Sequence, residues 1–382
     1  MRIGIDARLF GTKHGGIGRY TEKLLKELEL IDTTNEYFVF LDNSGINDYK
    51  PTKQNFKKIK ANFRVYSLNE QLIFPLLLNK YHLDLVHFTH FNVPLLYGGK
   101  FVVTIHDLII SHYPNHRATT LNPILYKIKL FIYKLVITNS IRRAKKIISV
   151  SDFTKKDIIN LFKIDSNKIQ TIYEGVDLPI ISKVDTKNIL NRLKLSGDFL
   201  LYVGSAYPHK NLEKLLEAFV IIANNHSSLK LVLVGKINYF YKLLQDKVKK
   251  IITASNNFLS ENLKERIIFT DYLNDEDLAV LYRQAKLYIF PSLIEGFGLP
   301  PLEAQSYDLP VVSSNRSCLP EILGDSAVYF DPENINDMVE KIELMLSNDI
   351  LRQQKIIAGR ANFKKYSWKK MAQEIIRIYQ EK

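Results

Sequence analysis

Short apolar runs alternate along the chain with segments in which apolar positions recur every three or four residues. The runs predict buried strands, and the wider spacing predicts amphipathic helices. In the first half the predicted strands are Arg2–Ala7, Glu36–Asp42, Asp84–Phe88, Phe101–His106 and Lys146–Val150. In the second they are Phe199–Gly204, Leu229–Gly235, Arg266–Thr270, Leu287–Phe290, Pro310–Ser313 and Ala327–Phe330. Strands separated by helices belong to parallel sheets covered on both faces. Because the pattern occurs twice, it predicts an α/β protein of two Rossmann-like domains. Ligands would then bind at the carboxyl ends of the strands, in the cleft between the domains. The length of 382 residues agrees, since it exceeds what one hydrophobic core usually serves. The polar piece after Gly175-Val176-Asp177, before the helical Asn188–Leu195, marks the divide, giving domains 1–180 and 181–365.

Hydrophobic residues make up 46% and charged residues 24%, a globular balance that excludes long disordered segments. The net charge of +13 attracts nucleic acid, anionic lipid or nucleotide diphosphates, so its distribution has to decide among them. Lysines concentrate at Lys127–Lys146 and Lys242–Lys250, and neither stretch is the uninterrupted basic arm of a nucleic-acid binder. No nucleic-acid partner is expected. Met1 leads straight into strand-like sequence without an apolar leader, so a secreted precursor is not expected. The single cysteine, Cys318, has no partner for a disulfide and no metal-ligand spacing around it. It reads as a small buried residue in a cytoplasmic protein.

The most informative stretch follows the apolar run Leu287-Tyr288-Ile289-Phe290. It reads Glu295-Gly296-Phe297-Gly298-Leu299-Pro300-Pro301-Leu302-Glu303. The glycines let the backbone turn, and the two prolines suit the first turn of a helix. Backbone N–H groups gathered at such a start attract phosphate, while Glu295, and Glu303 in the first turn, can accept hydrogen bonds from hydroxyls. Phosphate beside a polyol describes a nucleotide sugar. A second strand end, Gly204-Ser205-Ala206-Tyr207-Pro208-His209-Lys210-Asn211, puts Lys210 near a helix start. There its compact charge can favour a departing diphosphate.

The Glu295 to Glu303 segment resembles the signature of retaining glycosyltransferases of family 4 (glycosyltransferase group 1) with the GT-B fold, and the resemblance covers nearly the whole chain. It implies two Rossmann-like domains facing each other across a cleft, with a C-terminal helix, 366–382, crossing back to the first. The tail Tyr366-Ser367-Trp368 would begin that crossing, with the only tryptophan either anchoring it or packing inside the second domain. The segment Ile172-Tyr173-Glu174-Gly175-Val176-Asp177 looks like the family's close of the first domain, with Glu174 where Asn is more usual.

The resemblance implies that the first domain binds the acceptor and the second the donor. His209 and Lys210 would contact the donor diphosphate together with the backbone of Gly296, Phe297, Gly298 and Leu299. Glu295 would hold sugar hydroxyls and Glu303 the ribose. The loop Gly15-Gly16-Ile17-Gly18, which lacks a dinucleotide-binding order, would bend over the phosphates through Gly15 and Gly16. His106 would face the transferred sugar. Gly235, Tyr272 and Leu273 would wall the nucleotide base. The catalytic set is therefore Glu295, His106 and Lys210. No cofactor is expected beyond the nucleotide sugar itself, which is a co-substrate. No metal is expected either, because Asp275-Glu276-Asp277 reads as the acidic first turn of a helix.

Asp84-Leu85-Val86-His87-Phe88 with Asn92-Val93-Pro94-Leu95, and Pro208-His209-Lys210-Asn211, look most like the bacterial mannosyltransferase-like branch that builds surface polysaccharides. That implies GDP-mannose as donor and a glycan or lipid-linked oligosaccharide as acceptor. UDP-glucose, UDP-N-acetylglucosamine and dTDP-rhamnose stay open. So do two other classes, a GT-B epimerase or phosphorylase and a basic binding module without activity. The segment Ile124–Ile137 mixes aliphatics, aromatics and lysines. It fits an interfacial helix on anionic lipid at the inner face of the membrane, and equally a helix packed on the first sheet with snorkelling lysines.

Overall fold

A computed structural model of the protein describes residues 1–113, 122–180, 185–254 and 259–381. The chain divides into two units, one of Met1–Gly175 with Tyr366–Lys382 and the other of Val176–Lys365. The divide expected at 180–181 adjoins residues 181–184, which lie outside the described residues.

The first unit holds a seven-stranded parallel sheet in the order β3-β2-β1-β4-β5-β6-β7. Its strands are β1 Arg2–Asp6, β2 Glu36–Leu41, β3 Phe56–Lys60, β4 Leu85–Phe88, β5 Phe101–Ile105, β6 Lys146–Ser149 and β7 Ile169–Thr171. The sequence pattern misses β3 and β7, the two edges. Phe-Lys-Lys-Ile-Lys alternates one buried residue with lysines in solvent, and β7 is three residues long, so neither gives an apolar run. Phe40, Phe74, Phe88, Phe101, Tyr133 and Ile137 join in one core cluster on a face of this sheet.

The C-terminal helix Trp368–Gln380 belongs to this unit and packs on the helix Gly15–Ile31. It buries Trp368, Met371, Ala372, Ile375, Ile378 and Tyr379, one stripe at helical spacing. Trp368 lies on Gly175, where a Cβ would fall 2.2 Å from the Trp368 backbone nitrogen. At its other end the Tyr379 hydroxyl bonds Nδ1 of His87 on β4 at 2.7 Å.

The second unit holds six parallel strands in the order β10-β9-β8-β11-β12-β13. These are β8 Phe199–Val203, β9 Lys230–Val234, β10 Ile267–Asp271, β11 Leu287–Phe290, β12 Val311–Ser314 and β13 Ala327–Phe330. In each unit the strand order reverses once, between β1 and β4 and between β8 and β11. Loops leaving the carboxyl ends of strands at such a point diverge and leave a crevice.

Candidate active site

The crevice of the second unit is built by the segments that follow β8 and β11. After β8 the chain forms the one-turn helix Pro208–Lys210 and reaches Asn211, whose φ of 59° reverses it into the helix Leu212–Asn225. Asn211 fixes this turn by donating from Nδ2 to the carbonyls of Pro291 (3.2 Å) and Pro332 (2.8 Å). The Leu293 N–H also donates to the His209 carbonyl at 2.8 Å. Thus tied to the end of β11, Lys210 places Nζ 2.6 Å from Oε1 of Glu295, and its ammonium lies over the Phe290 ring. Two residues 85 positions apart meet because β8 and β11 are neighbours.

Glu295 is itself held, its backbone N–H donating to Oγ of Ser317 at 3.0 Å. Gly296 leads past the buried Phe297 to Gly298, the N-cap of the helix Leu299–Ser306. Gly298 has φ 94°, a left-handed conformation in which a side chain is strained. Pro300 and Pro301 occupy the second and third helical positions. Glu303 is the fifth residue, so it sits in the second turn and not in the first as the sequence suggests. It accepts from the Tyr282 hydroxyl at 3.2 Å.

The His209 ring lies parallel to Tyr207, with centroids 5.9 Å apart. Burial, with the neighbouring charge of Lys210, pushes the His209 pKa down to about 4. At neutral pH it is therefore an uncharged ring beside a cation, able to hydrogen-bond but not a second positive charge.

Gly235, Tyr272 and Leu273 gather where β9 and β10 end. A Cβ on Gly235 would lie 2.0 Å from the Gly204 carbonyl oxygen and 2.6 Å from the Tyr241 hydroxyl, so only glycine fits. Asp271 accepts from the N–H groups of Ile237 and Tyr272, both at 2.8 Å, and ties the two strand ends together. Tyr272 is exposed and Leu273 half-buried. Asp275, Glu276 and Asp277 form the first turn of the helix Asp275–Gln284, capped by Asn274, and Asp277 pairs with Arg192 at 2.6 Å.

The first unit corrects the expected glycine loop. Gly15 and Gly16 are the first two residues of the helix Gly15–Ile31, which follows directly on the one-turn helix Thr12–His14. The turn closes by a bond from the Gly11 N–H to the Gly18 carbonyl. Gly18 permits it, since a Cβ there would lie 2.0 Å from the Gly11 oxygen. Gly15 and Gly16 thus sit at a helix start and not in a loop ahead of it, with the Gly15 N–H donated to the Thr12 carbonyl.

His106 follows β5 and is buried. Its Nδ1 faces Oε1 of Glu174 at 3.1 Å, its Nε2 faces the Thr89 carbonyl at 2.9 Å, and the Tyr20 ring meets it edge-on at 4.8 Å. Both partners are acceptors. Both bonds form together only when the ring carries two protons or Glu174 carries one. Sequence reasoning did not foresee this contact of Glu174, whose one signal was the departure from asparagine.

Sequence reasoning also missed a buried ionic cluster at the β1/β4 crevice. Arg8 donates through Nε and one Nη to both oxygens of Asp6, and through the other Nη to Glu70 at 2.5 Å. Asn92 bonds the same Glu70 oxygen through Nδ2. A small cavity lined by Asp6, Arg8, Thr89, His90 and Asn92 opens beside them. Two buried atoms of its lining residues, His90 Nδ1 and Asn92 Oδ1, have no hydrogen-bond partner among the described residues. Burial, with the charges of His106 and Arg8 nearby, pushes the His90 pKa down to about 3.

Comparison with known proteins gives two family matches that together span most of the chain. Residues 14–179 match Glycosyltransferase Family 4, and residues 186–362 match Glycosyl transferases group 1. The O-antigen chain mannosyltransferase B of Escherichia coli is 29% identical over 384 residues, covering 95% of each chain. The O-antigen chain mannosyltransferase RfbU of Salmonella typhimurium is 26% identical over 250 residues, 65% of this chain and 61% of that one. Among solved structures, sucrose-phosphate synthase from Thermosynechococcus elongatus aligns with a TM-score of 0.76 at 18% identity, over 100% and 98% of the two chains. WaaG, a glycosyltransferase involved in lipopolysaccharide biosynthesis, aligns with a TM-score of 0.72 at 15% identity, over 99% of each.

Proposed function

The chain belongs to family 4 of the glycosyltransferases, group 1, with the GT-B fold and hexosyltransferase activity, and from that premise we propose that it is a mannosyltransferase of surface polysaccharide synthesis. It takes mannose from GDP-mannose and passes it, with retention at the anomeric carbon, to a hydroxyl of a lipid-linked glycan at the inner face of the membrane. The observation that carries this reading is the Lys210–Glu295 pair in the second-unit crevice, a cation and a carboxylate 2.6 Å apart beside a helix start.

In this reading Lys210, neutral His209 and the N–H groups of the Gly296–Leu299 turn take up the charge that develops on the departing diphosphate. Glu295 holds hydroxyls of the transferred sugar, and Glu303 the ribose. Gly235, Tyr272 and Leu273 border the base. In the first unit, His106 orients the sugar, and Gly16 supplies a backbone N–H to the phosphates, the Gly15 N–H being taken by the Thr12 carbonyl. The unpartnered His90 Nδ1 and Asn92 Oδ1 suit hydroxyls of the acceptor.

No carboxylate is assigned as a nucleophile. The C–O bond to the diphosphate breaks as the acceptor oxygen bonds the same face of the anomeric carbon, and the leaving phosphate oxygen takes the acceptor's proton. Positioning and electrostatics are the protein's share.

The test is binding and slow hydrolysis across GDP-, UDP- and dTDP-sugars with EDTA present, on the wild type, Lys210→Ala and Glu303→Ala. Selective use of GDP-mannose, weakened in both variants, is expected. Preference for another nucleotide sugar would move the donor assignment, and binding indifferent to both substitutions would remove the site.

A further inference from the structure

One face of the first sheet carries a buried chain of polar side chains. Val86, Phe88, Val103 and Ile105 point into the core cluster on the opposite face. The alternating positions His87 on β4 and Thr104 on β5 therefore point away from that cluster. His87 stands opposite Val102 across the two strands, which makes Thr104 its diagonal neighbour on the same face. Nε2 of His87 and Oγ1 of Thr104 are 2.8 Å apart. The two helices that cover this face extend the chain at each end. From Gly15–Ile31 the Tyr20 hydroxyl meets Thr104 Oγ1 at 3.0 Å, and from Trp368–Gln380 the Tyr379 hydroxyl meets Nδ1 of His87 at 2.7 Å. All four residues are enclosed, none more than 1% exposed.

Apolar side chains of like shape would cover this face as well, as they do the other, and polar groups are tolerated here only because each is bonded. What the chain adds is a fixed direction. His87 is uncharged at neutral pH, since burial, and after it the neighbouring His106, pushes its pKa down to about 3. One ring nitrogen then donates and the other accepts, so the hydroxyls on either side point the same way along the chain. The last member is set against His106. The Tyr20 ring meets the His106 ring edge-on, with 88° between planes and 4.8 Å between centroids. Thr21, the next residue of the helix, bonds Oγ1 of Thr89 at 3.1 Å, and the Thr89 carbonyl faces Nε2 of His106 at 2.9 Å. The helix Gly15–Ile31 thus bounds His106 by two routes, and Tyr379 holds that helix through the strands.

We propose that Tyr379, His87, Thr104 and Tyr20 are positioning residues for His106, so that the C-terminal helix sets the orientation of that ring from three side chains away. The proposal rests on the reading of His106 as the residue that orients the sugar, and it adds what orients His106.

The full chain labelled with 15N- and 13C-histidine gives the ring signals of His106, assigned by their loss in His106→Gln. Tyr379→Phe removes one oxygen at the far end of the chain, and Thr104→Val breaks the middle while keeping the shape of the side chain. Both are expected to shift or broaden the His106 signals, and Thr104→Ser, which keeps the hydroxyl, to leave them near the wild type. In hydrolysis of GDP-mannose the first two lower kcat about ten- to a hundredfold with the donor KM unchanged. Met371→Val, a smaller side chain about two turns back on the same helix and off the chain, lowers the melting temperature and leaves ring signals and kcat as they were. His106 signals unmoved by Tyr379→Phe and Thr104→Val, or moved equally by Met371→Val, overturn the proposal and leave the chain to stability alone. Moved signals with unchanged kcat keep the chain and remove His106 from the reaction, and the spectra need neither donor nor acceptor, so the two readings fail separately.

Discussion

The Lys210–Glu295 pair can be taken apart by a double-variant cycle of Lys210→Met, Glu295→Gln and both. Lys210 is 17% exposed and Glu295 10%, and their atoms are 2.6 Å apart, so neither charge has much water to fall back on. Removing one partner of a buried pair costs about 3–5 kcal/mol, mostly from the charge left behind, and the residual exposure here argues for about 3. For a unit of this size that lowers the melting temperature by roughly 6–12 °C. The double variant leaves no charge unpaired, so it should recover about 2 kcal/mol of the loss. Activity should behave differently. Lys210→Met lowers kcat/KM by about 10²–10³, and the double variant recovers none of it, because the leaving diphosphate still lacks its cation. Differential scanning calorimetry and initial rates with GDP-mannose read the two effects. A Lys210→Met protein that melts like the wild type, or a double variant no more stable than Lys210→Met, would refute the argument that this pair organises the crevice.

Three further outcomes follow from other contacts. Glu174→Gln, which keeps the size of the side chain but replaces an acceptor oxygen with an NH2 donor, should lower kcat by loosening the hold on the His106 ring, with a melting shift equivalent to no more than about 1–2 kcal/mol; an unchanged kcat would leave Glu174 a packing residue. Tyr379→Phe orphans Nδ1 of His87 and should cost about 1–3 kcal/mol in denaturant unfolding, whereas a neutral result would mean that the C-terminal helix is held by packing alone. Burial pushes the pKa of His87 and His90 down to about 3 and that of His209 to about 4, against about 6.5 in an unfolded chain. The unfolded state therefore binds more protons in this window. The stability held above pH ~6.5 should fall as pH drops towards 4, by up to about 1.4 kcal/mol per pH unit for each histidine. Melts taken from neutral to acidic pH should show this slope, and His209→Gln should reduce it.

Much of this was legible in the sequence because the fold is written in local patterns. Central strands such as Phe199–Val203 and Leu287–Phe290 are continuous apolar runs, and the turn Glu295 to Leu299 carries its glycines and prolines in order. What escaped depends on pairing across the fold. The edge strands β3 and β7 are defined by a neighbour on one side only, so their composition is that of the solvent they face. His106 and Glu174 meet across 68 positions, and no spacing rule joins them. The glycine run was misjudged because glycine signals loops, whereas Gly18 is needed for a helix start folded tightly against Gly11. The segment Ile124–Ile137 was legible as either an interfacial helix or one packed on the first sheet, and the sequence left that choice open. Apolar residues on opposite sides of a helix cancel in any periodicity, so only burial separates them.

The chain order of the first unit also has a consequence for synthesis. Residues 1–175 leave the ribosome first, but the segment that completes their unit starts at Tyr366, after the whole of Val176–Lys365. At about 5–20 residues per second the newborn sheet waits roughly 10–40 s for the helix that covers Gly175 and bonds His87. In that interval the continuous second unit can finish folding. The N-terminal half meanwhile presents a bare apolar groove where Trp368, Ile375 and Tyr379 belong, which is the surface a chaperone working at the ribosome would find.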